Sequence, residues 1–98
     1  MTESPVHIVA RITAIAGKEE ELFTILRQLA APTRKESGCI RYELFRNNAD
    51  PADFTFIEEW MDDAAIDRHM VTAHIQSAFA AVEGLLAAAP DIRRYRRA

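Results

Sequence analysis

The chain has 98 residues, 49% hydrophobic and 28% charged, which predicts one folded domain over residues 1–98 and excludes a disordered or disulfide-built chain. A formal net charge of -3 argues against a nucleic-acid partner, although Arg93-Arg94-Tyr95-Arg96-Arg97 is locally basic. Cys39 is the only cysteine and no apolar run reaches the roughly 20 residues that span a bilayer, so a cytoplasmic protein with no membrane partner is expected.

Val6, Ile8, Ala10 and Ile12 alternate with His7, Val9, Arg11 and Thr13, the period of a strand with one apolar face. Gly17 breaks that pattern. Lys18-Glu19-Glu20-Glu21 then opens a helix whose early carboxylates suit the positive end of its dipole, and Leu22, Ile25, Leu26 and Leu29 form its apolar stripe. Pro32 removes a backbone donor and predicts a kink or stop, with a further turn from Thr33 to Ser37 closed by Gly38. Two extended runs follow, Cys39 to Arg46 and Phe54 to Met61, joined by the turn-forming residues Asn47 to Asp53.

Asp62 or Asp63 is placed to cap a helix through Met70. Thr72 is placed to cap a second helical stretch carrying Ile75, Phe79, Val82 and Leu86 at core spacing. After Pro90, Ile92 to Arg97 predicts a last short strand. The order βαββαβ is that of an α+β, ferredoxin-like fold with an antiparallel sheet and a split second helical region. Both faces of the hairpin are apolar: Ile40, Tyr42 and Leu44 oppose Phe45, and Phe56 and Trp60 oppose Ile57 and Met61. Two helices cover one face, so the other predicts a second copy of the sheet and a homodimer of the dimeric α+β barrel type.

The chain resembles the antibiotic biosynthesis monooxygenase domain, and within it the small quinol monooxygenase-like branch. The resemblance spans nearly the whole chain. It is carried by Ala16-Gly17-Lys18-Glu19, by the run Ala31-Pro32-Thr33-Arg34-Lys35-Glu36-Ser37-Gly38-Cys39-Ile40-Arg41-Tyr42, by Asp50-Pro51, by Phe56-Ile57-Glu58-Glu59-Trp60, and by His69 and His74. It implies a dimeric ferredoxin-like fold and oxygenation of a small aromatic or quinol-like substrate by molecular oxygen, with no metal or flavin cofactor. The heme-degrading branch of the superfamily also sets a tryptophan ahead of a histidine, and adds an asparagine from the first strand. The inward positions of that strand are taken as His7, Val9 and Arg11, none an asparagine, which speaks against heme degradation.

Oxygenation without a cofactor requires a substrate that becomes electron-rich on losing a proton, a base to take that proton, and a dry pocket. A phenol titrates near 10, so a neutral histidine serves as acceptor only where donors stabilise the phenolate. His69, three residues after Ile66, should face the sheet and is the first choice for the acid-base group; the alternative is a core histidine bonded to a backbone carbonyl. Trp60 and His74 complete the expected catalytic set, Trp60 either lining the pocket or packing in the core. On an unbroken helix His74 would stand about 140° from His69, so the two converge only if the helix breaks near Thr72. That angle, together with a single cysteine, argues against a metal site.

Tyr42, Phe56, Glu58 and Phe79 are the expected substrate-binding residues. Glu58 is a carboxylate aimed at an apolar layer; an ion pair with Arg11, Arg34 or a histidine is expected, and a general-base role is the alternative. Tyr42 shares the parity of Ile40 and Leu44, which divides it between the pocket and the dimer interface. The C-terminal arginines are expected to protect an edge strand or to pair with Glu19 to Glu21 across the dimer. Two other functions fit a histidine-lined apolar pocket: isomerisation of a small oxygenated metabolite, and non-catalytic ligand binding by a dimeric module.

Overall fold

A computed structural model describes residues 4–98. The elements are β1 (Val6–Thr13), α1 (Glu19–Arg27), α2 (Ala30–Arg34), β2 (Cys39–Arg46), β3 (Asp53–Trp60), α3 (Asp63–Met70), α4 (Ala73–Ala81) and β4 (Asp91–Tyr95). The strands form one antiparallel sheet in the order β2-β3-β1-β4. This is the expected ferredoxin-like arrangement, with both helical regions interrupted. No helix among the described residues is long and apolar enough to cross a membrane.

The break between α1 and α2 falls one turn before Pro32. The proline ring has no N–H for the carbonyl four residues back and would collide with it, so the helix yields at Gln28 and Leu29 and restarts at Ala30. The start of α1 is secured from below, because the Gly17 N–H donates to both Glu19 carboxylate oxygens at 2.8 and 2.9 Å. Asp62 caps α3 by accepting from the Ala65 N–H at 2.8 Å. Thr72 occupies the corresponding position before α4, but its hydroxyl does not cap that helix. It donates instead to the His69 carbonyl at 2.7 Å, stapling the end of α3 to the start of α4.

Val6, Ile8 and Ala10 of β1, Phe54, Phe56 and Trp60 of β3, and Leu22, Leu26, Ile66 and Ile75 of the helices build the core between the sheet and its helical layer. The helix-side face of β1 is therefore Val6, Ile8, Ala10 and Ile12. His7, Val9 and Arg11, taken above as inward, lie on the other face, because Ile8 and Ala10 are the residues buried against the helices. None of the helix-side residues is an asparagine either. On the far face Val9, Phe45 and Tyr95 are exposed.

A register shift between Cys39 and Arg41 changes the reading of β2. Cys39 pairs with Trp60 and Arg41 with Glu59, so Ile40 is the extra residue of a bulge and stands 55% exposed. Beyond the bulge, Tyr42 faces Glu58 across the ladder and is buried under the helices. Ile40 and Tyr42 therefore do not share a face, and Tyr42 belongs to the helical side rather than to the far face of the sheet.

Gly38 fixes how β2 enters the sheet. Its φ is +91°, a region in which side chains are strained, and a Cβ there would meet the Ala65 Cβ at 2.7 Å. Its carbonyl accepts from the Met61 N–H at 2.9 Å. The turn carrying Glu36 is thereby pressed against α3. At the other end of the chain, Arg94 pairs with Asp63 at 3.0 Å and Asp67 at 2.8 Å, and Arg96 with Asp63 at 3.1 Å. These arginines tie β4, an edge strand as expected for them, to α3 within the chain.

Candidate functional site

A hollow of about 60 Å³ lies between the sheet and α4. Its walls are mostly apolar: Ile8, Ala10 and Ile12 from β1, Phe56 from β3, Leu26 and Leu29 from the first helical region, and Ile75, Ala78, Phe79 and Val82 from the second. Three polar side chains interrupt them, Tyr42, Glu58 and His69. Of the expected site residues, His69, Tyr42, Phe56, Glu58 and Phe79 thus meet at one place. The space is far below the few hundred Å³ of a ligand pocket, so an aromatic substrate requires the wall to yield. Phe79, 39% exposed, forms an outer part of that wall with one side open to solvent.

Trp60 does not line the hollow. It is fully buried behind His69, with ring centroids 4.6 Å apart and planes at 40°. Its indole Nε1–H donates to Glu58 Oε1 at 2.8 Å. Trp60 therefore backs the imidazole and holds the carboxyl, satisfying its own N–H in doing so. Tyr42 completes the aromatic shell, 5.7 Å from His69 edge-on and 4.8 Å from Phe56.

His74 is also off the hollow, yet it is close to His69, with ring centroids 6.1 Å apart. The residue that joins them is Glu36, on the turn after α2. Its Oε2 lies 2.6 Å from His69 Nδ1 and 2.7 Å from His74 Nε2. A carboxylate accepts and does not donate, so each imidazole presents an N–H to it. For His69 this sets the tautomer: Nδ1 carries the proton and Nε2 keeps its lone pair. Among the described residues nothing bonds Nε2.

The convergence depends on the interruption between α3 and α4, where Val71 and Thr72 leave helical geometry. The break near Thr72 is the condition under which His69 and His74 were expected to converge, and they do. Glu36 was not among the residues the sequence singled out for the site. A usable signal existed: a histidine on the buried face of a helix needs a partner for each ring nitrogen, and Glu36 sits two residues before the glycine that turns the chain toward α3.

Burial lowers the basicity of His69, and the Glu36 hydrogen bond and charge pull it back in part. Glu58 is pushed up to about 7 by burial, against the opposing pull of the Trp60 N–H. The expected arginine partners of Glu58 are engaged elsewhere: Arg11 with Asp53 at 2.9 Å, and Arg34 with the Tyr42 carbonyl at 3.0 and 2.8 Å. With no cation beside it, the carboxyl is shared between its protonated and ionised forms near neutral pH. Burial also raises the Tyr42 phenol, which stays a neutral O–H. The hollow thus combines an imidazole with a free lone pair and a carboxyl able to donate, a pairing suited to moving protons.

The sequence pattern of the antibiotic biosynthesis monooxygenase family matches residues 5–81. The crystal structure of PA3566 from Pseudomonas aeruginosa superposes with a TM-score of 0.94 at 38% identity, covering 100% of this chain and 98% of that one. YcnE of Bacillus subtilis, which carries a provisional monooxygenase name, is 35% identical over 77 residues, 79% of this chain and 81% of YcnE. An uncharacterised protein of Synechocystis is 28% identical over 94 residues; the match takes in 96% of this chain but only 64% of that protein's length.

Proposed function

Because the chain belongs to the antibiotic biosynthesis monooxygenase family, we propose that it oxygenates a small electron-rich aromatic of the quinol class with molecular oxygen, using His69 as proton acceptor. One arrangement supports this reading above the others. His69 lines an apolar hollow with its Nε2 unbonded, while Glu36 holds its Nδ1–H at 2.6 Å. In this arrangement a carboxylate orients an imidazole and stabilises the cation formed when the ring takes a proton.

On this reading a quinol hydroxyl at Nε2 gives its proton to His69. The phenolate passes one electron to oxygen, and the ring radical and superoxide recombine with a new carbon–oxygen bond. His69 returns its proton to the resulting peroxide. The O–O bond then breaks, and hydroxide leaves with the ring proton as water, so hydroquinone and oxygen yield hydroxyquinone and water. The protonated form of Glu58 supplies a hydrogen bond to the second substrate oxygen. Trp60 and His74 act through Glu58 and Glu36, respectively, rather than by touching substrate. The apolar walls keep water from the radical pair.

The same reading takes residues 1–98 as one domain in the cytoplasm, and the far face of the sheet, where Val9, Phe45 and Tyr95 are exposed, as the seam of a homodimer. Light scattering on a sizing column tests the dimer, and a monomer at micromolar concentration rejects it. Isotope-labelled oxygen tests the chemistry: one labelled atom should enter each product molecule. Product labelled only from water, or turnover with no oxygen incorporated, replaces this reading with proton transfer beside a carbonyl, which the facing of Glu58 and His69 onto one hollow also favours.

A further inference from the structure

Three side chains from separate segments point their polar atoms at one spot. Glu36 lies on the turn after α2, His69 near the end of α3 and His74 near the start of α4. One carboxylate oxygen and two imidazole nitrogens all lie within 4.8 Å of one another. Glu36 Oε2 is 2.6 Å from His69 Nδ1 and 2.7 Å from His74 Nε2. Two imidazoles and a carboxylate are the donor set that late first-row divalent cations take.

The three donors reach the spacing of such an ion by a local side-chain adjustment. At metal–ligand distances of about 2.1 Å, tetrahedral donors stand roughly 3.4 Å apart, so the carboxylate retreats by less than about 1 Å and the two ring nitrogens, now within 4.8 Å of each other, close by up to about 1.4 Å. Glu36 can make that adjustment because it sits on a turn rather than in a helix or strand. The site also has an entrance. The His74 side chain is 24% exposed, against 3% for His69, so an ion arrives from the start of α4 and not through the hollow. The Thr72 hydroxyl, 3.3 Å from His74 Nε2, adds an oxygen at the rim beside the open coordination position.

We infer that Glu36, His69 and His74 form a binding site for a divalent transition cation of the zinc type. The ion has a consequence for the hollow. A cation on Nδ1 of a neutral imidazole leaves the ring proton on Nε2, so His69 changes from acceptor to donor toward the substrate. Resting on the proposed role of His69 as base, occupancy switches oxygenation off, and removal of the cation restores it.

Calorimetric titration of the full, tag-free chain with zinc chloride, and visible spectroscopy with cobalt(II), test the site without reference to activity. One ion per chain is expected at micromolar affinity, with cobalt bands of a four-coordinate nitrogen–oxygen site. Glu36→Gln and His74→Ala should each weaken binding by roughly tenfold or more. Circular dichroism checks that both variants fold, and His74, being partly exposed, is the safer of the two. Absence of heat and of cobalt bands at sub-millimolar ion overturns the inference, as does binding that neither variant weakens. If zinc binds through these residues while oxygen uptake is unaffected, the cation site stands and the base role of His69 falls. If uptake proceeds and no ion binds, the cation site alone falls.

Discussion

Glu36 Oε2 and His69 Nδ1 lie 2.6 Å apart although 33 residues separate them in the chain. This contact fixes the imidazole tautomer at the hollow, and its removal should show in catalysis more than in folding. Glu36→Gln keeps the shape of the side chain and an acceptor oxygen but removes the charge that stabilises imidazolium. A fall in kcat of about 10²-fold is expected in steady-state oxygen uptake, with a stability loss of about 1 kcal/mol by urea titration. Unchanged kcat would remove Glu36 from the mechanism.

Glu58 gives the fold a pH dependence of definite sign. Its folded value of about 7 stands above the ordinary carboxyl value of 4.5, so the native state holds an extra proton between these limits. Stability contributed by the protonated group is full below pH 4.5 and is lost as pH rises through 7, by an amount on the order of 3 kcal/mol. Glu58→Gln keeps an acceptor for Trp60 and should abolish that decline, leaving the variant more stable than wild type at pH 8. Urea titrations across this range check it; parallel curves for the two proteins would contradict it.

His69 contributes the opposite slope. Burial lowers its folded value below the ordinary 6.5, so the unfolded chain takes up a proton that the folded chain resists, and stability falls as pH drops below 6.5. His69→Gln should flatten the acid limb of the same titration. Direct titration of the ring by NMR should find its midpoint below that of an exposed histidine.

Gly38→Ala should destabilise by about 2–4 kcal/mol, since it combines a strained positive φ with a Cβ 2.7 Å from that of Ala65. Relief of the clash moves the Glu36 turn away from α3, so activity should fall beyond what the folded fraction explains. Thermal melts together with activity per folded molecule separate the two effects.

Phe79→Ala opens the outer wall of a hollow of only about 60 Å³. Relative kcat/KM for two-ring over one-ring quinols should rise roughly tenfold. An unaltered preference would mean that the substrate enters elsewhere.

The element order was legible because each segment carries its own period: two in Val6 to Thr13, helical spacing in Leu22, Ile25, Leu26 and Leu29, and turn chemistry in Asn47 to Asp53. Asp62 as a helix cap was legible for the same local reason. Three features were not. The bulge at Ile40 leaves no mark on the apolar pattern, and a slip of one residue reverses which face Tyr42 occupies. The placement of Trp60 behind His69 rather than on the hollow depends on how β3 and α3 cross. Glu36 is brought to His69 by the sharp turn at Gly38 and to His74 by the interruption at Thr72, and neither contact has a sequence period. Of the fold, what remained hidden was set by register; of the site, by long-range contact.

The central claim is that His69, held by Glu36, takes a proton from a quinol that then reacts with oxygen. An oxygen electrode run with a panel of hydroquinones, comparing wild type with folded His69→Gln, measures it most directly. The account predicts substrate-dependent oxygen consumption by the wild type, reduced by about 10²-fold or more in the variant. Equal consumption by both proteins, or substrate turnover by the wild type with no oxygen consumed, would contradict it.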